Sequence, residues 1–269
     1  MYLEFFGLRE APFNITPDPR FLFLSEGHRD AMACVLYGIR ERKGFVELIG
    51  EVGCGKTTLC RAALRRLGGE VQTALILNPS ISETQLVRAI LSDLGAEPRS
   101  HRRLDLIEQL NAYLLERARQ SVNVAIIIDE AQTLAPAVME QVRLLSNLET
   151  DEHKLMQIVL VGQPELDRRL NEPSLRQLRQ RIMVRAELRP LSEEDTSAYI
   201  RHRMAVAGAA EGVGFEPAAS AAVHWRSTGI PRLINKICDR ALLAAYCRSA
   251  RTVREADVLA AVAELDPVL

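Results

Sequence analysis

No C-x-x-C pair occurs in this chain of 269 residues, and its five cysteines, Cys34, Cys54, Cys60, Cys238 and Cys247, are an odd number. That speaks against a disulfide framework and against thiolate metal spacings, and it fits reduced thiols filling the core of a cytosolic protein. Long apolar runs are missing as well: the strand-like run Val124 to Ile128, like every other, is far short of the ~20 residues that a membrane-crossing helix needs. The start, Met1-Tyr2-Leu3-Glu4-Phe5-Phe6, has neither a positive region nor an extended apolar stretch, so a signal peptide is not expected. The net charge is only −1, which leaves no global field pulling the chain toward nucleic acid or anionic lipid. A single tryptophan, Trp225, poorly supplies an aromatic channel for single strands. No internal repeat and no low-complexity tract is seen. What remains is 48% hydrophobic and 26% charged, the composition of a soluble globular protein long enough for two domains.

The most informative stretch is Gly50-Glu51-Val52-Gly53-Cys54-Gly55-Lys56-Thr57, which fits G-x-x-x-x-G-K-[ST]. It follows Gly44-Phe45-Val46-Glu47-Leu48-Ile49, a short apolar segment that reads as a buried strand. It precedes Thr57-Thr58-Leu59-Cys60-Arg61-Ala62-Ala63-Leu64, good helix formers that run on to Gly68-Gly69. Strand, glycine loop and helix start are the parts of a triphosphate site. The glycines let backbone N–H groups from Gly50 through Thr58 turn inward, and the helix N-terminus adds positive potential. Lys56 then reaches the β/γ-phosphates and the Thr57 hydroxyl ligates Mg²⁺. The chain is expected to bind a nucleoside triphosphate.

Residues 1–25 carry Pro12, Pro17 and Pro19 and four of the seven phenylalanines by position 21, with a fifth at Phe23. So aromatic an irregular segment must pack onto something, and it reads as a strap over the domain. After a helix over 26–42, apolar runs at 45–49, 73–77, 123–128, 156–161 and 182–187 alternate with helical stretches near 57–67, 82–94, 103–120, 136–148 and 165–180. That alternation predicts an α/β fold, a five-stranded parallel sheet between helices, over 1–190. Beyond Leu191 the strands stop, and 191–269 reads as a small all-helical lid with segments at 192–207, 216–227, 231–248 and 254–264.

The other parts of a nucleotide machine follow at strand ends. Val122-Asn123-Val124-Ala125-Ile126-Ile127-Ile128-Asp129-Glu130 is a buried strand ending in two carboxylates. Asp129 is the candidate Mg²⁺ holder and Glu130 the candidate base for the attacking water. Acids at the carboxyl end of a parallel strand point into the crevice where ligands sit. Gln163, after the next strand, would orient that water. Arg176, Arg179 and Arg181 cluster before the last strand, and one of them would act across a subunit interface as an arginine finger, Arg181 ahead of Arg179. Gly229-Ile230-Pro231-Arg232 starts a lid helix, from which Arg232 would reach the phosphates. The adenine is expected against the strap near Phe13 to Ile15 and against Tyr199. The arginines from Arg99 to Arg103 read as a solvated face.

Taken together, these residues resemble an AAA+ ATPase, and more narrowly the ATPase domain of the ExeA/general secretion pathway protein A group. The resemblance rests on Phe5-Phe6-Gly7-Leu8-Arg9-Glu10, Thr16-Pro17-Asp18-Pro19-Arg20, Leu144-Leu145-Ser146-Asn147-Leu148-Glu149-Thr150, Gly162-Gln163-Pro164-Glu165-Leu166, Leu175-Arg176-Gln177-Leu178-Arg179-Gln180-Arg181-Ile182 and Pro231-Arg232-Leu233-Ile234-Asn235. It implies ATP and Mg²⁺, self-association into an oligomer or ring, and trans-acting arginines. In its terms Lys56 and Thr57 match the phosphate-loop pair, Asp129 and Glu130 the Walker B pair, Gln163 sensor 1 and Arg232 sensor 2. Sensor 1 is Gln here, where Asn, Ser or Thr is common in the wider superfamily. The group works with a partner protein in transport or assembly of the type II secretion secretin, at the cytoplasmic face of the inner membrane. Its longer members continue into a membrane-spanning helix and a periplasmic peptidoglycan-binding region, and the present sequence ends at Leu269. Membrane contact is therefore expected only through a partner or such an extension. The alternative is a nucleic-acid-associated regulator related to transposition ATPases, which the charge balance disfavours.

Overall fold

The structure is a computed structural model and describes residues 2–14, 18–77, 80–149 and 154–265. Ile15, Thr16, Pro17 and Thr150, which entered the expectations above, lie outside the described residues. The elements run α1 (Tyr2–Phe6), α2 (Glu26–Arg40), β1 (Phe45–Gly50), α3 (Lys56–Leu67), β2 (Val71–Ile76), α4 (Glu83–Asp93), α5 (Arg103–Arg119) and β3 (Asn123–Ile128). Next come α6 (Pro136–Leu145), β4 (Gln157–Gly162), α7 (Pro164–Leu170), α8 (Arg176–Arg179), β5 (Ile182–Leu188) and α9 (Glu193–Val206). The chain closes with β6 (Gly214–Phe215), α10 (Pro217–Ser227), α11 (Pro231–Cys247), β7 (Thr252–Val253) and α12 (Glu255–Leu265). They form two compact units, one of Gly27–Gly50 and Leu59–Leu188, the other of Met1–Glu26, Glu51–Thr58 and Arg189–Leu269.

In the first unit five strands pair in parallel in the order β2-β3-β4-β1-β5. Every residue of β3 and β4 is buried, as parallel strands covered on both faces require. The edge strand β5 alternates instead, with Ala186 and Leu188 buried and Met183, Arg185 and Glu187 exposed. Ile126, Ile128 and Leu160 of the sheet share a core with Leu86 and Ile90 of α4, Leu110 of α5 and Met139 of α6. Sequence chemistry fixes where the helices start. Ser82 and Gln85 form a reciprocal capping box on α4, while α6 and α7 open on Pro136 and Pro164, whose missing N–H is no loss there. Register sets Ile49 opposite Gly162 and Ile128 opposite Leu160, so the carboxyl ends of β1, β4 and β3 share one edge of the sheet.

Two expectations change here. The helix expected over 165–180 is broken, because a 3-10 turn over Pro173–Leu175 separates α7 from α8; Pro173 cannot donate into a continuing helix. The helix expected over 136–148 closes at Leu145.

The second unit has its own core, in which Phe6, Phe13 and Phe21 lie with Tyr199, Ile234, Leu242 and Val258. The strap's aromatics are thus buried among the lid helices, whereas the sequence grouped the strap with the sheet. Arg203 of α9, only 7% exposed, ties it down. Its guanidinium donates to the carbonyls of Pro12 and Asn14 and to the Tyr199 hydroxyl, and it stacks 4.8 Å over the Phe21 ring. The Tyr199 hydroxyl in turn donates to Asn235 Oδ1 at 2.9 Å. The lid is not wholly helical: β6 and β7 pair in parallel over two residues each. Two residues are too few to show a period of two in the sequence.

Candidate active site

The phosphate loop leaves β1 at Gly50, where any Cβ would meet the Leu188 carbonyl oxygen at 2.5 Å. Gly53 and Gly55 sit at φ +84° and +97°, conformations that only glycine adopts without strain. Glu51 and Val52 are exposed at the loop's tip, while Cys54 and Lys56 are buried. Lys56 Nζ donates to the Glu51 carbonyl at 3.0 Å, so the lysine folds back across its own loop. Burial pushes the Cys54 thiol up, which keeps it protonated and leaves it a small apolar filler. Thr57 and Thr58 follow in the first turn of α3, where N–H groups lack intrahelical partners and attract anions.

The loop is gripped by the start of α11. The Arg232 N–H donates to the Gly53 carbonyl at 3.3 Å. A Cβ on Gly53 would meet Arg232 Cβ at 2.7 Å and Ile230 Cγ2 at 3.2 Å. Arg232 itself is exposed. Gly229, at φ +75°, lets the chain enter α11: its carbonyl accepts from the Leu191 N–H at 2.8 Å, and a Cβ there would lie 2.0 Å from the Leu191 oxygen.

At the end of β3, Asp129 is 4% exposed, and its N–H donates to the Ile76 carbonyl at 2.9 Å. Its Oδ1 accepts from the Glu130 N–H at 2.9 Å. Glu130 sits at φ +53°, ψ +34°, an uncommon left-handed conformation for a non-glycine residue. Its Oε2 accepts from the Gln132 amide at 2.7 Å and from the Gln163 amide at 3.1 Å. Gln163 was expected to orient the water beside the γ-phosphate; its side-chain amide lies against Glu130. Gln132 was not anticipated. The only hint is an amide two residues past a carboxylate, too common a pattern to single out. The Asp129 carboxylate is a hard oxygen donor of the kind that Mg²⁺ takes, and so, on its own unit, is the Thr57 hydroxyl.

The arginines separate. Arg181 donates to the Arg143 carbonyl at 3.3 Å and to the Ser146 hydroxyl, which ties the entry of β5 to the end of α6. Arg176 and Arg179 are exposed on α8. The favoured finger, Arg181, is therefore engaged within its own chain, and the neighbouring arginines are the outward ones. The adenine expectation also changes: Phe13 is 2% and Tyr199 6% exposed, packed against Phe215 and Phe23, so neither ring has a face for a base.

Residues 39–170 match the family model of the AAA domain. The chain is 46% identical, over its whole length, to general secretion pathway protein A of Aeromonas hydrophila, of which it spans 49%. Among solved structures, it resembles the Aeropyrum pernix ORC2 protein in complexes with ADPNP and ADP, at TM-score 0.72 and 18% identity, over 96% of this chain and 72% of that one. Cdc6p of Pyrobaculum aerophilum is similar at TM-score 0.70 and 19% identity, over 94% and 70% of the two chains. The Thermotoga maritima RuvB branch migration motor matches at TM-score 0.61 and 19% identity, over 91% and 73%. At these identities the solved structures speak to the fold alone.

Proposed function

We propose that this chain, which is 46% identical over its whole length to general secretion pathway protein A and matches the AAA domain over residues 39–170, binds ATP with Mg²⁺ and hydrolyses it as an oligomer serving a secretion apparatus. The observation that carries the reading is the Asp129-Glu130 pair with Gln163 at the carboxyl edge of the sheet where the phosphate loop departs. The loop N–H groups, from Gly50 and Glu51 through Thr58, cradle the phosphates together with Lys56. Lys56 gives up the Glu51 carbonyl for the β- and γ-oxygens. Thr57 and Asp129 would hold Mg²⁺, which neutralises charge developing on the phosphates. Glu130 takes the proton of the attacking water, and Gln163 orients that water. Arg232 reaches the phosphates from the start of α11, whose grip on Gly53 makes lid and loop move together.

The finger acts in trans, and exposure favours Arg179 over the tethered Arg181. The chain spans about half the length of the relative named above, so secretin assembly or transport, a secretion partner and a post at the cytoplasmic side of the inner membrane belong to the proposal. Among the described residues, no helix is long and apolar enough to cross a membrane.

The test is a set of variants of the full chain in an ATPase assay. Lys56→Ala should abolish nucleotide binding. Glu130→Gln should bind ATP yet turn over about 10²–10⁴ times more slowly. Arg179→Ala should likewise bind and not turn over, and mixing it with Glu130→Gln should restore activity, since one shared interface in the mixture pairs a native base with a native finger. Full turnover by Glu130→Gln would refute the catalytic assignment. Failure of the mixture to recover would remove Arg179 and return the finger to Arg176 or Arg181.

A further inference from the structure

We infer that Gln132 is a positioning residue that holds Glu130 ready for the water, an inference that rests on the ATPase reading above. Three features, two of the turn after β3 and one of the neighbouring strand, bear on Gln132. First, Gln132 is used from both ends: its Nε2 donates to Glu130 Oε2 at 2.7 Å, while its Oε1 accepts from the Gln163 N–H at 3.2 Å. A carboxylate can only accept and an N–H can only donate, so a single orientation of the amide serves both partners. Glutamate in its place would lose the donor and set like charges together.

Second, the neighbouring strand makes room for it. A Cβ on Gly162 would lie 2.8 Å from Gln132 Oε1, and 2.8 Å and 2.9 Å from Leu166 side-chain atoms. A methyl group on β4 would therefore displace the amide.

Third, the turn that carries Gln132 is itself clamped. Arg169 of α7 donates to the Gln132 carbonyl and, at 2.7 Å, to the Leu134 carbonyl. The Thr133 N–H donates to the Glu130 carbonyl at 2.9 Å. This scaffold holds Glu130 in its left-handed backbone conformation, which persists only where the surroundings over-determine it.

The arrangement assigns distinct tasks to two amides that converge on one carboxylate oxygen. Gln163 precedes α7 and faces the nucleotide edge, so it can leave Glu130 for the water. Gln132 lies on the clamped turn and stays. With Gln163 gone, Gln132 alone fixes the direction of the carboxylate, and a misplacement of about 1 Å costs on the order of 10²-fold in rate.

The experiment compares the full chain with Gln132→Met and Gly162→Ala, which remove or displace the amide, under steady-state and single-turnover conditions. Both variants should lose about 10–100-fold in kcat with KM for ATP unchanged within about two-fold, and both should bind a fluorescent ATP analogue normally. Gln132→Asn, which keeps the donor one methylene shorter, should recover part of the loss. In a Glu130→Gln background, Gln132→Met should lower the residual single-turnover rate no further, because its target is already gone. Unchanged kcat in Gln132→Met, a parallel rise in KM, or a full additional loss in the Glu130→Gln background would each overturn the inference. A native chain that hydrolyses nothing would overturn the underlying reading too, and it is recognised before any variant is compared.

Discussion

Replacing Gly53 by alanine tests whether the phosphate loop depends on the first turn of α11. Two effects add at this position. The backbone sits at φ +84°, which disfavours an L-residue by about 1–2 kcal/mol. The new methyl would also lie 2.7 Å from Arg232 Cβ and 3.2 Å from Ile230 Cγ2. Neither atom is the free end of a flexible side chain, so the loop and α11 must part, and overpacking of this kind costs about 1–3 kcal/mol. Gly68 supplies the control. It too has positive φ, +56°, but a Cβ there meets nothing within 4 Å, so only the backbone effect remains. With a shift of roughly 2–4 °C per kcal/mol in chains of this size, Gly53→Ala should melt about 4–20 °C below the native protein and Gly68→Ala about 2–8 °C below, the first always the lower of the two. Thermal melts followed by circular dichroism read the difference, and titration with a fluorescent ATP analogue should show affinity lost at least ten-fold for Gly53→Ala alone. Arg232→Gly, which removes the closest atom, should recover part of the melting loss in the double variant. Equal melting of the two alanine variants would refute the claim that loop and helix are packed as one.

The strap and the sheet each give a further prediction. Arg203→Met should destabilise by about 3–5 kcal/mol, because two strap carbonyls and the Tyr199 hydroxyl lose their charged donor; limited proteolysis should then cut near the N-terminus, and an unchanged cleavage pattern would contradict the tether. Glu47 on β1 is 1% exposed, with Oε1 lacking a hydrogen-bond partner and Oε2 3.4 Å from Arg185. Burial raises its pKa from the usual 4.5, against the pull of Arg185, so the folded state holds this proton more tightly than the unfolded chain. Its contribution to stability is fully present below the unfolded value and is lost as pH rises through the raised folded value. Glu47→Gln should therefore stabilise the protein at neutral pH and flatten its stability profile just above pH 4.5; denaturant midpoints across pH 4–7 measure this, and a less stable variant at pH 7 would count against it.

What was legible in the sequence is what local chemistry dictates. A loop that wraps an anion needs glycines at fixed places, and Gly53 and Gly55 do adopt positive φ. A strand covered on both faces must be apolar throughout, and Ile126-Ile127-Ile128 running into Asp129 announces both the strand and its carboxylates. Gln163 could be placed because it ends the next apolar run. Arg181 could not, because nothing in Arg-Gln-Leu-Arg-Gln-Arg tells an arginine that closes a helix end from one that faces out. The strap's burial was predictable from its phenylalanines, but its destination was not, since hydrophobicity carries no address. Arg203 supplies that address through backbone carbonyls far off in sequence.

The same distinction explains why the least legible residue is the one argued to position the base. A nucleotide-binding group must present a fixed chemical type at a fixed spacing, so it leaves a motif. A positioning group need only place a donor where a carboxylate ends up, and many side chains from several strands or turns can do that. Gln132 meets the need from the turn itself, Gln163 from the neighbouring strand, and Gly162 by having no side chain. On the proposed function, the chemistry of hydrolysis restricts Glu130, while its support is restricted only by geometry. Variation in rate among chains with the same loop and the same acid pair should therefore trace to such supports, and in this chain to one amide that must donate and accept at once.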